Sequence, residues 1–237
     1  MSSEAIATAV LDPAEIGLRE VNAKLHDASG DPAAPKRWRI VNPAGRHNLA
    51  VGLDAELEVS IEGHVGYYCA GMNQRANVTI DGNAGVGVAE NMMCGAVSVL
   101  GDASQAAGAT ARGGRLLVRG NASARCAISL KGGDVVVGGS IGHLGAFMAQ
   151  RGRLVVCGDA GESLGDSLNE AQIFVRGKVV SLGADCVEKE MREEHVRELR
   201  SLLLSVGLDD VKPEDFRRYG SARRLYNFNV DDAGDFG

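Results

Sequence analysis

A glycine returns every 19 residues through the middle of this 237-residue chain, and that interval limits the possible folds more than anything else in it. Gly63, Gly82, Gly101, Gly120, Gly139, Gly158 and Gly177 make the series, with no insertion or deletion between them. A short apolar run precedes each one: Val59-Ser60-Ile61, Val78-Thr79-Ile80, Val97-Ser98-Val99, Leu116-Leu117-Val118, Val135-Val136-Val137, Leu154-Val155-Val156 and Ile173-Phe174-Val175. Aliphatic, largely β-branched residues soon followed by glycine read as a short strand ending in a turn. A unit of about twenty residues cannot bury its own apolar face and has to stack on its neighbours, so an unbroken period of that length means a solenoid.

Aligned on the glycine, the repeats become columns. The column four residues before it is Val59, Val78, Val97, Leu116, Val135, Leu154 and Ile173, and the column two before is Ile61, Ile80, Val99, Val118, Val137, Val156 and Val175. Both are aliphatic throughout, so both point inward. Seven after the glycine stand Ala70, Ala89, Gly108, Ala127, Ala146, Gly165 and Ala184, small residues that imply a narrow cross-section. Parallel strands about 4.8 Å apart would make seven coils a rod of roughly 34 Å. The fold class expected is all-β: a right-handed parallel β-helix of seven 19-residue coils over residues 57–186, with short helical appendages. A helix and capping strands fill 1–56, and a helix and arm fill 187–237.

The 32 glycines would suggest a flexible linker, but aliphatic columns demand a packed core with glycine at the corners. The repeated spacing, including Gly158, Gly161 and Gly165, suggests tight corners at positive φ rather than a phosphate cradle. A net charge of −6 argues against nonspecific nucleic-acid binding. No apolar run approaches the ~18 residues of a membrane span, which makes a cytoplasmic location the default expectation. Cys69 and Cys126 share a phase three coils apart, about 14 Å and too far for a disulfide. Reduced thiols are expected at all five cysteines.

Outside the rod, residues 1–10 carry no anchor and are expected to fray. Asp12-Pro13-Ala14-Glu15 predicts a helix running to about Leu25. Trp38-Arg39-Ile40-Val41 and Leu49-Ala50-Val51 read as two strands about the turn Asn42-Pro43-Ala44-Gly45, placed to cover the first coil. Val187, Met191, His195, Leu199 and Leu203 recur at four-residue spacing, which predicts a helix over Val187–Val206.

Chemistry is hard to find in the polar columns. Arg115, Asp134 and Arg153 predict a surface charge ladder worth at most ~1 kcal/mol per pair. His64 and His143 differ in phase, and Asp166 with Asp185 is too little for a calcium site. No catalytic, cofactor-binding or metal-binding residue is assigned to the chain. The informative column lies three before the glycine and faces outward. Ser60, Thr79 and Ser98 give way there to Leu117, Val136, Val155 and Phe174, so either the C-terminal helix or a partner covers that end. These four are candidate partner-binding residues. So are Arg218, Tyr219, Arg223, Arg224, Tyr226 and Phe228, in a tail rich in the types that dominate interface hot spots.

Residues 38–190, with their 19-residue period and the Gly158, Gly161, Gly165 corner, resemble the GXGXG domain that ends the large subunit of glutamate synthase, and also one of the subunits of formylmethanofuran dehydrogenase. Here the domain stands without an amidotransferase or a flavin barrel. With the segments Gly63–Asn73 and Arg218–Arg223, it is similar to the separate GXGXG subunit of N-methylglutamate synthase. That resemblance implies a noncatalytic scaffold in a hetero-oligomer that makes N-methylglutamate from glutamate and methylamine. The implied partners are an FMN-binding subunit and a class II glutamine-amidotransferase-like subunit. FMN is expected in a partner, with an iron–sulfur cluster as a second candidate there, and no cofactor in this chain. The alternatives are a formylmethanofuran-type complex and a self-sufficient sugar-binding β-helix.

Overall fold

The computed structural model describes residues 8–31 and 33–222. Its strands are β1 (Thr8–Leu11), β2 (Arg37–Ile40), β3 (Glu58–Glu62), β4 (Asn77–Asp81), β5 (Ala96–Val99), β6 (Arg115–Val118), β7 (Lys131–Val137), β8 (Arg151–Val156), β9 (Gln172–Val175), β10 (Cys186–Lys189) and β11 (Arg217–Ser221). Helix α1 spans Leu18–Asp27 and α2 spans Glu193–Ser205. All eleven strands join one sheet in the order β1 to β9, then β11, then β10, and every pairing from β1 to β9 is parallel. This is the expected parallel β-helix.

The aliphatic columns explain the register. Val59 pairs with Val78, Val78 with Val97, and so on through Leu116, Val135 and Leu154 to Ile173. Every member of both inward columns is at most 2 % exposed. A slip of one residue would turn all of them to solvent, and burial of a side chain of this size contributes roughly 1.5–3 kcal/mol.

The period glycines serve a purpose other than the expected one. Only Gly63 among the seven has a positive φ, at 125°. The others are glycine because a side chain would strike the winding beneath. A Cβ on Gly82 would lie 2.6 Å from the Gly63 carbonyl carbon, and one on Gly177 would lie 2.4 Å from the Gly158 oxygen. That closeness lets the glycine N–H groups donate directly down the column, Gly101 to Gly82 at 3.0 Å and Gly139 to Gly120 at 2.8 Å. The next column adds a second ladder. The backbone N–H of Asn83 donates to His64 Nδ1, Asp102 to Asn83 Oδ1, Asn121 to Asp102 Oδ1, Ser140 to Asn121 Oδ1, Asp159 to Ser140 Oγ and Lys178 to Asp159 Oδ1, all within 2.7–2.9 Å. The acceptors stop at Lys178, beyond which no winding follows.

Positive φ appears elsewhere, at alternate residues five, seven and nine past the glycine. Tyr68, Ala70 and Met72 are left-handed, as are Arg125, Ala127 and Ser129, and Leu144, Ala146 and Met148. A non-glycine residue costs roughly 1–2 kcal/mol in that region. Hydrogen bonds to both neighbouring windings hold the triplet there, as when Ala127 N donates back to Ala107 O while Arg125 N and Ser129 N donate forward to His143 O and Phe147 O. The small-residue column is buried from Ala70 to Gly165, and space is tight enough that a Cβ on Gly108 would meet Val135 Cγ2 at 2.8 Å.

The N-terminal region differs from its sequence reading in three ways. Residues 8–11 are anchored as a strand, parallel to β2. Leu49-Ala50-Val51 is a corner rather than a strand, because Asn48, Ala50 and Gly52 repeat the left-handed triplet. Residues 37–56 therefore make an additional winding, bonded to the next through Gly45 N to His64 O and Asn48 N to Tyr67 O. Helix α1 starts only at Leu18, since Asp12 caps a separate turn by accepting from Ala14 N at 2.7 Å and Gly17, at φ 80°, breaks the chain. It buries Val21 and Leu25, and Asn22 clamps the corner by donating to Asn48 O and accepting from Ala50 N.

Gly82→Ala is expected to destabilise the chain by about 1–3 kcal/mol in urea unfolding, because backbone on the facing winding cannot yield. Gly220→Ala, whose Cβ meets only the flexible Lys189 side chain, Cγ at 3.4 Å and Cε at 3.7 Å, should stay within about 0.5 kcal/mol of the native chain.

Candidate functional site

The outer face of the sheet changes character halfway along. On β3–β5 its central column is Ser60, Thr79 and Ser98, half-buried or exposed, while on β6–β9 it is Leu117, Val136, Val155 and Phe174, at 5 %, 0 %, 0 % and 1 % exposure. A second apolar cluster covers the latter half, built with Leu199, Leu202 and Leu203 of α2, Val206 at its C-terminal cap and Phe216 beyond it. The four sheet residues proposed as a partner's seat are thus buried under the chain's own helix. Hydroxyl side chains would leave that helix nothing to pack on, which is why it stops short of β5.

Polar contacts fix the helix in place. Arg119 donates to the Gly207 and Val206 carbonyls at 2.9 and 3.1 Å, placing a cation at the C-terminal end of α2 where unpaired carbonyls and the helix dipole favour it. Arg115 donates to Ser205 Oγ at 2.9 Å. Arg153 makes a two-pronged bond to Asp134 at 2.6 and 2.9 Å and lies 3.9 Å from Glu198. The expected ladder of Arg115, Asp134 and Arg153 is therefore one ion pair, with Arg115 drawn off to the helix. Asp134 holds the Arg153 guanidinium above its ordinary pKa.

The helix is shorter than its four-residue pattern predicts. Val187 lies in β10 because β11 pairs with that segment, Val187 opposite Gly220 and Glu188 opposite Tyr219. Met191 packs against the edge of the cluster. His195 is buried and completes the N-terminal cap, its Nδ1 accepting from Arg192 N at 3.2 Å. Burial and the Arg218 and Arg192 guanidinium groups hold its pKa below the usual histidine value, against Glu194 and Glu198.

Of the tail residues proposed for a partner, Arg218 and Tyr219 belong to the sheet. β11 runs antiparallel between β9 and β10, Tyr219 is 2 % exposed in the rod's core, and Arg218 Nε donates to Glu190 O at 2.9 Å. Tyr219 cannot meet a partner without opening the sheet, whereas Arg218 is half-buried. Arg223, Arg224, Tyr226 and Phe228 lie outside the described residues.

The remaining singled-out groups are dispersed. His64 is an acceptor in the corner ladder, and His143 is exposed. Asp166 accepts from Ser167 Oγ at 2.7 Å. All five cysteines are free thiols, and burial pushes Cys69 and Cys126 up to about 12. Among the described residues no group of three or more His, Cys, Asp or Glu is placed to hold a metal ion, and no helix is long and apolar enough to cross a membrane. Surface depressions lie on the uncovered N-terminal half, one of about 160 Å³ against Arg37, Glu58, Ser60 and Thr79 and one of about 290 Å³ between Lys36, Asp54, Glu56 and Arg75. Sequence reasoning missed the Arg119 cap, whose arginine has no periodic signal, and the corner ladder, whose short acceptors recur in plain view from His64 to Asp159.

Comparison with known proteins finds Protein GlxC of Rhizobium meliloti (strain 1021), 58% identical over 224 residues, covering 94% of this chain and 98% of that protein. No family model matches the chain, and no solved structure matches it.

Two outcomes test this account. Phe174→Ala should cost about 3–5 kcal/mol in urea unfolding of the isolated chain, as a cavity between sheet and helix does, whereas a residue reserved for a partner would cost little. Because the folded His195 is depressed below the ordinary 6.5, its contribution is intact above pH 6.5 and is lost as pH falls through the lower folded pKa. The melting temperature of the native chain should accordingly drop more between pH 7.5 and 5.5 than that of His195→Asn, whose amide oxygen can take over the cap without titrating.

Proposed function

Since the chain belongs to the GlxC family, matching its relative over nearly the whole of both, we propose that it is a noncatalytic scaffold subunit of a glutamate-synthase-related complex, of the N-methylglutamate synthase type. The proposed partners are an FMN-binding subunit and a class II glutamine-amidotransferase-like subunit. Any iron–sulfur cluster belongs to a partner as well. The resemblance of residues 38–190 to the GXGXG domain supports the complex, and the single observation that carries the scaffold role is the continuous parallel pairing of β2–β9, each strand on the next, with one register shift between Lys131 and Asp134 where β7 meets β8.

A body whose every winding is bonded to the next along two ladders resists shear, and a rigid spacer holds two sites at one distance and orientation. Transfer of ammonia or an amine between sites needs that constancy, because a nitrogen nucleophile released into water is diluted. Among the described residues no helix lies over the half of the sheet face that carries Ser60, Thr79 and Ser98, and in this reading that half receives a partner.

Affinity purification of the native complex through this chain is the direct test. Recovery of a flavin-containing chain and an amidotransferase-like chain, with glutamate- and methylamine-dependent synthase activity in the assembly alone, is the expected result. Synthase activity or bound flavin in the purified single chain would refute the scaffold role.

A further inference from the structure

Two successive windings share a corner unlike the others. Tyr67 and Met72 on one, and Val86 and Met93 on the next, are between 44 % and 49 % exposed. Hydrogen bonds set these stretches side by side, Tyr68 N donating to Val86 O, Met72 N to Glu90 O and Met93 N to Asn73 O, each at 2.8 Å. In the same columns the following winding holds Gln105, Thr110 and Arg112, so the apolar stretch ends there. Both tyrosines of the corner are fixed in place. Tyr67 stacks on His47 with ring centroids 3.7 Å apart, and its N–H donates to His47 Nδ1 at 3.0 Å. Tyr68 Oη accepts from Asn91 Nδ2 at 3.1 Å, and Asn91 Oδ1 accepts from Thr110 Oγ1 at 2.6 Å. Rings already held this way lose little freedom on meeting a partner.

Beside them stands a carboxylate without a cation. A Cβ on Gly87 would lie 2.7 Å from Glu90 Oε2 and 3.6 Å from Tyr68 Cδ2, so the acid and the ring border one small space. Glu90 is half-buried, burial raises its pKa, and among the described residues its side chain has neither an ion pair nor a hydrogen bond. Glu56 and Glu62, by contrast, are paired with Arg75 and Arg39. A partly desolvated carboxylate calls for a counter-charge, and this chain has none to bring. Residues 1–7 and 225–237 contain no lysine or arginine. Arg223 and Arg224 directly follow Ala222, whose N–H is bonded to Asp185 O. Asp185 stands five windings beyond Glu90 in the same column, about 24 Å away, and two residues extend a chain by only about 7 Å. A second copy set on this corner across a two-fold axis would bring Glu90 against Glu90.

We propose that this corner seats a different subunit through one of its arginines, whose guanidinium pairs with the Glu90 carboxylate and lies against the rings of Tyr67 and Tyr68. Arginine suits the place because its planar cation bonds a carboxylate and stacks on aromatic faces at once. Met72, Val86 and Met93 supply the apolar surround that keeps water from such a pair. The seat rests on the scaffold reading and deepens it, since a spacer between two catalytic chains needs two places to hold them. This one lies on the corner that follows β3 and β4, past the sheet face of Ser60 and Thr79.

Photocrosslinking in the native complex tests the seat, with a benzophenone amino acid in place of Met93 and the crosslinked peptide identified by mass spectrometry. The expected product joins this chain to an arginine-containing peptide of the flavin-containing or the amidotransferase-like chain, and Glu90→Lys lowers its yield at least about tenfold. A crosslink to a second copy, no crosslink, or a yield untouched by Glu90→Lys would overturn the seat. If the unsubstituted chain recovers both partners and Glu90→Lys recovers them equally well, the seat fails while the scaffold reading stands. If the unsubstituted chain recovers no partner, both fail together. Should Glu90→Lys not fold, Glu90→Gln replaces it, with the same loss of crosslink expected. In the isolated chain the urea midpoint of Glu90→Gln should equal or exceed the native one, and a lower midpoint would show that the carboxylate already has a partner at home and would refute the seat.

Discussion

Backbone contact between successive windings is the constraint from which the rest of this structure follows. At the corner the chain passes so close to the winding beneath that a Cβ on Gly82 would approach a carbonyl carbon to 2.6 Å. Glycine relieves that overlap, the N–H groups gain bonds to the glycine below, and the following Asn, Asp or Ser accepts from the winding above. An insertion at the corner that is not absorbed by a bulge would move the glycine off the column and break both ladders together. The invariance of the 19-residue spacing thus has a steric origin, and the two aliphatic columns inherit their alignment from it.

The outer sheet face shows how one column can divide a rod into two unlike halves. Leu117, Val136, Val155 and Phe174 attract α2, and Arg119 and Arg115 hold its C-terminal end. Ser60, Thr79 and Ser98 draw no helix onto their half among the described residues, and they are half-buried or exposed. The covered half is a stabilising element, because the helix joins the last windings to β10 and β11. One half of the outer face is thus covered by the chain's own helix, and the other half, among the described residues, is not.

Much of the fold was legible in the sequence because the repeat multiplies each weak signal by seven. A single Val-Ser-Ile before a glycine would not distinguish a strand, but seven in phase leave no other reading, and the structure buries all fourteen of the inward aliphatics. The missed N-terminal winding shows the limit. Its corner carries Asn48, Ala50 and Gly52 in the same left-handed triplet, but β2 pairs with β3 at an interval of 21 rather than 19, and Pro43 stands near the glycine position. A repeat that has lost its period is not recognised by period. The left-handed triplets were illegible for another reason: Tyr68, Arg125 and Leu144 have no intrinsic preference for positive φ, and bonds from both neighbouring windings impose it.

The sequence by itself determined the strand positions, the inward columns, the apolar half of the outer face and the resemblance to a glutamate-synthase domain, since all of these are written in residue type and interval. Tertiary structure alone decided what lies on that face and where the ends of the chain go. Val187 and Met191 share the four-residue spacing of α2, yet Val187 became strand because β11 offers it a hydrogen-bonded partner that a helix would forgo. Tyr219 and Arg218 have the composition of an interface, yet the same strand draws them into the sheet, Tyr219 into its core. Choices of this kind depend on which distant backbone arrives alongside, and local preference is too weak to decide them.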